Sequence, residues 1–161
     1  MEIFKYIHAA TPSKLLMVGD GPERPIAEDL ARQYGIESDV RFLGKQEQME
    51  DILAVSDLFL LPSEYESFGL VALEAMASSV AVISSNAGGL AEINIDGKTG
   101  YTANVGDVAS MSARAIELLT DDSKLKAFKH NALEQAKLFD IHHIIPMYEN
   151  LYRRFCRTGD C

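Results

Sequence analysis

The 161-residue chain has no tryptophan, only two cysteines and few aromatic residues of any kind, 8% of the total. Cys156 and Cys161 both lie near the C-terminus. Two such thiols make neither a disulfide framework nor a zinc site, so free thiols are expected. Histidine is also sparse. His8, His130, His142 and His143 are scattered, and the adjacent pair would point about 100° apart on a helix rather than share a face as i, i+4 ligands do. No metal site is visible. No apolar stretch approaches the roughly 18 residues of a membrane span, and Met1-Glu2-Ile3 opens no basic-then-apolar signal peptide. A soluble, cytoplasmic protein is expected. Positive charge is short too: 15 Lys plus Arg face 24 Asp plus Glu, a net charge of −9. That balance argues against general affinity for nucleic acid or anionic membrane, and an anionic ligand would need a local positive site.

What is present suits one folded domain. Hydrophobic residues make up 47% and charged residues 24%, close to globular averages, with no tract biased enough for disorder and no internal repeat or linker. A chain this long buries roughly two thirds of the surface its unfolded form exposes.

Short apolar runs alternate with helical patterns. Residues 2–10 read as the tail of a helix with Ile3, Phe4 and Ile7 on one face, so the chain is expected to begin mid-element. Leu15 to Val18 reads as a buried strand, Gly19-Asp20-Gly21-Pro22 as a turn, and Glu23 to Tyr34 as an amphipathic helix stopped by Gly35. The unit recurs: strand Val40 to Leu43 leads through Gly44-Lys45-Gln46 to a helix over 49–54, and strand Leu58 to Leu61 leads through a loop to a helix over 69–77. A fourth strand is expected at Val80 to Ile83 and a short one at 101–103, followed by helices over 107–119, 123–137 and 141–155. This order predicts an α/β fold, a parallel sheet wrapped by helices through right-handed crossovers. Ligands of such sheets bind beyond the carboxyl ends of the strands. Three loops reach that edge, Gly19 to Pro22, Gly44 to Gln46 and Ser63 to Phe68, and together they could form one crevice; the glycine-bearing loop Ser84 to Gly89 reaches it as well. Gly19-Asp20-Gly21 is no dinucleotide fingerprint, since Pro22 follows at once and the third glycine is absent.

The richest segment is Glu66-Ser67-Phe68-Gly69-Leu70-Val71-Ala72-Leu73-Glu74, two glutamates with seven residues between them. One carboxylate falls in the loop and the other inside the helix. Amides of Phe68, Gly69 and Leu70 are expected in the first helical turn, where N–H groups have no intrahelical partner and the macrodipole favours an anion such as a diphosphate. Gly69 permits close approach to the backbone, and Ser67 either caps the helix or lends its hydroxyl to a phosphate. The carboxylates suit sugar hydroxyls. The plainer alternative is an ordinary strand-loop-helix unit with Ser67 as N-cap and two solvated glutamates.

In their joint order these residues resemble the retaining glycosyltransferases of the two-domain GT-B type, family 4. The matching segments are the glutamate pair, Gly19-Asp20-Gly21-Pro22, Phe42-Leu43-Gly44, Asn86-Ala87-Gly88-Gly89-Leu90-Ala91-Glu92, Asp96-Gly97-Lys98-Thr99-Gly100 and Tyr148-Glu149-Asn150-Leu151-Tyr152. Among subfamilies, Pro12 to Glu23, Phe42 to Gln46 and Val105-Gly106-Asp107 are most similar to the N-acetylglucosaminyl L-malate synthases of bacillithiol biosynthesis. The resemblance implies a Rossmann-like, doubly wound nucleotide-sugar domain over 1–161, the C-terminal half of a GT-B fold. It implies UDP-N-acetylglucosamine as donor substrate, a small acceptor such as L-malate, and no cofactor or required metal. Glu66 would hold the donor sugar at the reacting carbon as the catalytic-site residue, a positioning group rather than a nucleophile. Glu74 would accept from the ribose hydroxyls. Amides of Phe68, Gly69, Leu70 and Val71 would serve sugar hydroxyls and phosphates, with Ser67 and Gly19 beside them, and Gly44, Lys45 and Gln46 would lie near the nucleobase. Lys45 equally suits a solvated surface position.

Departures from the family pattern shape further expectations. The family's diphosphate-binding Arg and Lys, its first nucleotide-domain strand and its N-terminal acceptor domain have no counterpart in these 161 residues, so a fragment inactive by itself is expected. Without the central strand, its two neighbours either meet or leave a gap, and strand exchange or a homo-oligomer is one way to close it. Ser79, Ala81 and Ala91 stand where the family often has Gly, Pro and Pro. Two rival readings share the architecture: a receiver-type signalling module and a UDP-N-acetylglucosamine epimerase. The first needs an acidic cluster at strand ends, the second an added acid and base in the cleft.

Overall fold

A computed structural model describes residues 1–156. In chain order its elements are α1 (Glu2–Ala10), β1 (Leu15–Val18), α2 (Arg24–Gln33), a 3-10 turn (Glu37–Asp39), β2 (Val40–Gly44), α3 (Met49–Ala54), β3 (Leu58–Leu61), α4 (Leu70–Ala77), β4 (Ala81–Ser85), α5 (Leu90–Ile93), β5 (Gly100–Ala103), α6 (Val108–Leu119), α7 (Asp122–Lys137) and α8 (Ile141–Cys156). The expected strands and helices are all present, with boundaries moved by at most two residues. The one-turn α5 and the 3-10 turn carry too few residues to show a period and were not foreseen. Cys156 ends α8, and Cys161 lies outside the described residues.

All strand pairs are parallel, but the single expected sheet is divided. β1 pairs with β2, β3 pairs with β4, β4 pairs with β5, and no ladder joins β1–β2 to β3–β4–β5. Both sheets nevertheless line one apolar layer. Leu15, Met17, Val40, Phe42, Leu58, Leu60, Ala81, Ile83 and Tyr101 pack there with α1 and α6, the helices supplying Ile3, Phe4, Ile7, Met111, Ala115 and Leu118. The alternate side chains Phe59, Leu61 and Val82 face a second layer with Leu53, Ala72, Ala75, Met76, Leu90, Ile93 and Ala132. The period of two along each strand thus sorts its residues between two helical layers.

The side of the sheet taken by each helix fixes the strand order. α2 contributes Ala31 to the first layer, whereas α3, α4 and α5 contribute Leu53, Ala72 and Leu90 to the second. Since crossovers between parallel strands are right-handed, helices on opposite faces step in opposite directions. β2 therefore lies on one side of β1, and β3, β4 and β5 follow on the other, giving the order β2-β1-gap-β3-β4-β5. Of the two outcomes expected for a missing central strand, the gap is the one adopted. Burial follows the order: β4 is buried along its whole length, while Leu16 and Val18 of β1 are each 37% exposed.

A buried polar cluster fastens the three-stranded sheet to α5. The Asn94 side-chain amide donates to Val82 O (3.2 Å), Ser84 Oγ (3.0 Å) and Tyr101 O (3.1 Å), and its Oδ1 accepts from Thr99 Oγ1 (3.0 Å). Every member is satisfied, which removes the cost of burying it. At the far edge Glu117 accepts from Lys124, Arg114 and Tyr101. Those donors, Lys124 foremost, hold its carboxyl down at about 2.

Ser79 is the one non-glycine residue with positive φ (+59°) among those described. It occupies the turn between α4 and β4, one of the positions where the sequence departs from the family's glycine. A left-handed conformation costs an ordinary L-residue about 1–2 kcal/mol, partly offset here because glycine loses more freedom on folding. Ser79→Gly should therefore stabilise the domain by about 0.5–1 kcal/mol, read from its urea denaturation midpoint; a lower midpoint would contradict the strain assigned to this turn.

Candidate functional site

The loops at the carboxyl ends of the strands share one edge, as expected, and the loop after β3 is the most elaborate. It runs from Pro62 to Gly69, and Ser63 O accepts from Ser85 Oγ at the end of β4 (2.5 Å). Gly69 is the N-cap of α4 and adopts a left-handed conformation, φ 88° and ψ 39°. That dihedral favours glycine, and a Cβ there would also lie 2.6 Å from Leu90 Cδ2, which would have to move aside.

The cap chemistry differs from the serine cap expected. Ser67 is exposed and makes no capping hydrogen bond; instead Gly69 N–H donates to Glu66 Oε1 at 3.2 Å. The left-handed turn moves the helix start one residue later than the sequence suggests, so Phe68 lies outside the helix and Gly69 is only its cap. A side-chain oxygen reaches the amide three residues on, which here makes Glu66 the acceptor. Its negative charge also complements the positive helix end.

Two further amides stay open. Gly69 O accepts from Ala72 N (2.9 Å) and Leu73 N (3.2 Å), but among the described residues no acceptor meets the N–H groups of Leu70 and Val71. Both residues are exposed, at 64% and 42%. Glu74 is exposed on the next turn, i+4 from Leu70 and i+3 from Val71, so its carboxylate shares their face. Two free donors therefore stand at a helix N-terminus, with Glu66 on one side and Glu74 on the other. Such a surface suits an anion at the amides and hydroxyl groups at the carboxylates.

The loop is backed by the segment after β4. A Cβ on Gly88 (φ +52°) would lie 1.7 Å from Glu66 O, and one on Gly89 2.9 Å from Ser67 O. Gly88 and Gly89 thus support the glutamate loop from behind. Gly88 supplies both a left-handed turn and absence of volume, Gly89 absence of volume. The Phe68 ring packs edge-on against Phe139 beyond α7, with centroids 6.2 Å apart. No sequence pattern pointed to that contact.

Across the gap, the ends of β1 and β2 are tied together by Gly19 N–H donating to Gly44 O (2.8 Å). Lys45 is exposed, with no ion pair among the described residues, and the Gln46 amide folds back to donate to Leu43 O (2.6 Å). Arg24, which the sequence reading passed over, stands in the first turn of α2. Its guanidinium donates to Glu28 (2.8 Å), lies 3.9 Å from Asp20 and approaches the Phe42 ring at 5.8 Å. No hydrogen bond or ion pair joins this group to the glutamate loop among the described residues. Two concavities elsewhere, one beside Lys5, Tyr34 and Ser112 and one beside Asn86, Asp96 and Arg114, include none of the three loops. No three His, Cys, Asp or Glu side chains group as metal ligands among the described residues, and no described helix is long and apolar enough to cross a membrane.

Known proteins resemble this chain in sequence and in fold. The family model for glycosyl transferases group 1 matches residues 1–135. The N-acetyl-alpha-D-glucosaminyl L-malate synthase of Bacillus anthracis is 42% identical over 153 residues, 94% of this chain and 40% of that protein. A D-inositol 3-phosphate glycosyltransferase of Corynebacterium kroppenstedtii is 36% identical, over 84% of this chain and 32% of that protein. The chain thus spans well under half the length of these relatives. Among solved structures, a sucrose-phosphate synthase from Thermosynechococcus elongatus superimposes with a TM-score of 0.85 at 30% identity, covering 98% of this chain and 42% of that one. Anabaena HepE in complex with UDP gives 0.83 at 26% identity, covering 95% and 45%.

The contact behind Glu66 has a direct consequence. Gly88→Ala must push the two loops apart, so it should destabilise the domain by about 2 kcal/mol or more and lower its melting temperature by several degrees. Gly97→Ala is the control, since a Cβ at that left-handed glycine meets nothing within 4 Å. Equal effects in thermal melts would contradict a steric role for Gly88.

Proposed function

The chain belongs to the group 1 glycosyl transferases, and from that premise we propose that it is the donor-binding domain of a retaining enzyme that transfers N-acetylglucosamine from UDP-N-acetylglucosamine to a small acceptor such as L-malate. The observation that carries this reading is the pair of open amides at Leu70 and Val71, set between Glu66 and Glu74. Support for the donor comes from the 42% identity to a protein named for N-acetylglucosaminyl transfer to L-malate and from the likeness to a structure holding UDP. Membership of this family sets aside the receiver-type and epimerase readings.

In the proposed reaction the bond between the anomeric carbon and the UDP oxygen breaks. The acceptor hydroxyl oxygen bonds to that carbon from the same face, and its proton passes to the departing diphosphate. No cofactor enters the balance. The main task is to stabilise the leaving group, and amides already oriented at a helix end do so with little reorganisation. Leu70 and Val71 N–H would meet phosphate oxygens, and Glu74 would accept from the ribose hydroxyls. Glu66 would use the oxygen not engaged by Gly69 to position a sugar hydroxyl, while Gly44, Lys45 and Gln46 would flank the nucleobase and Gly19 would lie by the phosphates.

Charge limits what this chain does alone. Glu64, Glu66 and Glu74 flank the site, Lys45 is exposed at the same edge, and Arg24 there is already engaged by acids. The reading therefore includes an upstream segment bearing the family's Arg and Lys, and an N-terminal domain that selects the acceptor. The 161-residue chain should release no sugar onto L-malate by itself. Isothermal calorimetry tests the residue roles. Glu74→Ala should weaken UDP binding about tenfold, the loss of a charge-assisted hydrogen bond. Glu66→Gln, which keeps an oxygen for Gly69, should weaken UDP-N-acetylglucosamine binding more than UDP binding. Equal losses for both ligands in both variants would contradict the assignment.

A further inference from the structure

The backbone of the glutamate loop rests on Gly88 and Gly89, but the Phe68 ring reaches a further support, Phe139, on the turn between α7 and α8. We infer that Phe139 is a positioning residue for the site: its ring holds Phe68, and through Phe68 the orientation in which Gly69, Leu70 and Val71 present their N–H groups. This role deepens the donor-site reading, and its consequence for UDP binding rests on that reading.

The covalent chain carries the effect. Gly69 N–H, which donates to Glu66 Oε1, belongs to the planar peptide unit that begins at the Phe68 carbonyl. A rotation at Phe68 therefore turns that amide away from Glu66 and takes the start of α4 with it. Phe68 lies outside α4 and is 42% exposed, so neither helical bonds nor deep burial define it. An edge-to-face partner does. The centroids lie 6.2 Å apart and the ring planes cross at 71°, the arrangement in which the positive rim of one ring meets the negative face of the other.

Phe139 is itself well anchored. It is half-buried and packs against the second apolar layer, as Leu73 and Ala136 do. Its N–H donates to Ala136 O (3.0 Å), with Leu138 N–H on Gln135 O (3.1 Å) and Asp140 N–H on Lys137 O (3.2 Å) on either side. Asp140 Oδ1 then accepts from His142 N–H (2.8 Å) as α8 begins. The turn thus fixes one ring against a loop whose own ring is otherwise at the surface. A side chain that only filled the second layer would need apolar volume, and leucine would serve. One that holds Phe68 must be aromatic.

Amide hydrogen exchange of the ligand-free 161-residue protein tests this, with Gly69 as reporter. Phe139→Leu and Phe68→Leu should each speed Gly69 exchange about fivefold, the loss of one ring pair, while the amides of β2 are unchanged. The two together should speed it no further than either alone, since both remove the same interaction. Phe139→Tyr, which keeps the ring, should exchange as the parent does. Phe68→Leu changes an exposed residue and is expected to fold even if Phe139→Leu does not. In isothermal calorimetry Phe139→Leu should weaken UDP binding by about twofold to fivefold, because a loop that spends less time in its binding orientation binds in proportion to that fraction. Phe139→Tyr should bind UDP as the parent does. The role assigned to Phe139 is overturned if Gly69 exchange is unchanged in either leucine variant, if Phe139→Tyr behaves as Phe139→Leu, or if the double variant shows the product of both effects. It is also overturned if Phe139→Leu binds UDP as tightly as the parent. A parent chain that takes up no UDP would overturn the donor-site reading, while the exchange rates would still decide whether Phe139 positions the loop.

Discussion

The candidate site depends on one backbone-to-backbone contact, the seating of the Gly88 α-carbon directly behind the carbonyl of Glu66. No side chain fits between them, since even a methyl group would lie 1.7 Å from that oxygen. The contact holds the glutamate loop against the segment after β4, whose own position is fixed by the buried Asn94, Thr99 and Ser84 network. From that support follow the left-handed Gly69, the displaced start of α4 and the two amides that point outward. A loop carrying the exposed Glu64, a half-buried Glu66 and an exposed phenylalanine would otherwise have little to define it.

Charge and geometry oppose one another at this site, and their division of labour is informative. With a net charge of −9, the chain repels anions at long range, yet it presents unpaired N–H groups at a helix terminus. Glu66 shields one amide of that terminus through Gly69 and leaves the next two open. Phosphate would be drawn by those amides and held off by the carboxylates, so only a ligand with hydroxyl groups placed for Glu66 and Glu74 gains from both. That is the pattern of a nucleotide sugar rather than of free phosphate. The sheet is divided as well: the ladders β1–β2 and β3–β4–β5 meet in one shared apolar layer.

Most of the fold was legible in the sequence because it rests on local periodicity. The runs at 15–18, 40–43, 58–61 and 80–83 are short, apolar and followed by helical patterns, and each became a strand within two residues. The division of the sheet was legible only as one of two outcomes, since pairing across a missing neighbour is decided by how the helices above it pack. In the site, the spacing of Glu66 and Glu74 conveyed that both flank a helix start, and the structure keeps that. The identity of the cap was not legible. Ser67 has the better capping side chain by type, but with Gly69 left-handed the role passes to Glu66. Contacts made by the absence of a side chain, such as Gly88 on Glu66, and contacts between distant rings, such as Phe68 on Phe139, carry no periodic signal.

The central claim is that the amides of Leu70 and Val71 receive the diphosphate of a UDP-sugar. Its most direct test is a titration of the isotopically labelled chain with UDP up to millimolar concentration, followed by amide nuclear magnetic resonance. The account predicts that Leu70 and Val71 shift most, with smaller changes at Phe68 and Gly69 and at Gly44 to Gln46 across the gap. Shifts confined to other surfaces, or none at Leu70 and Val71 while UDP binds, would contradict it.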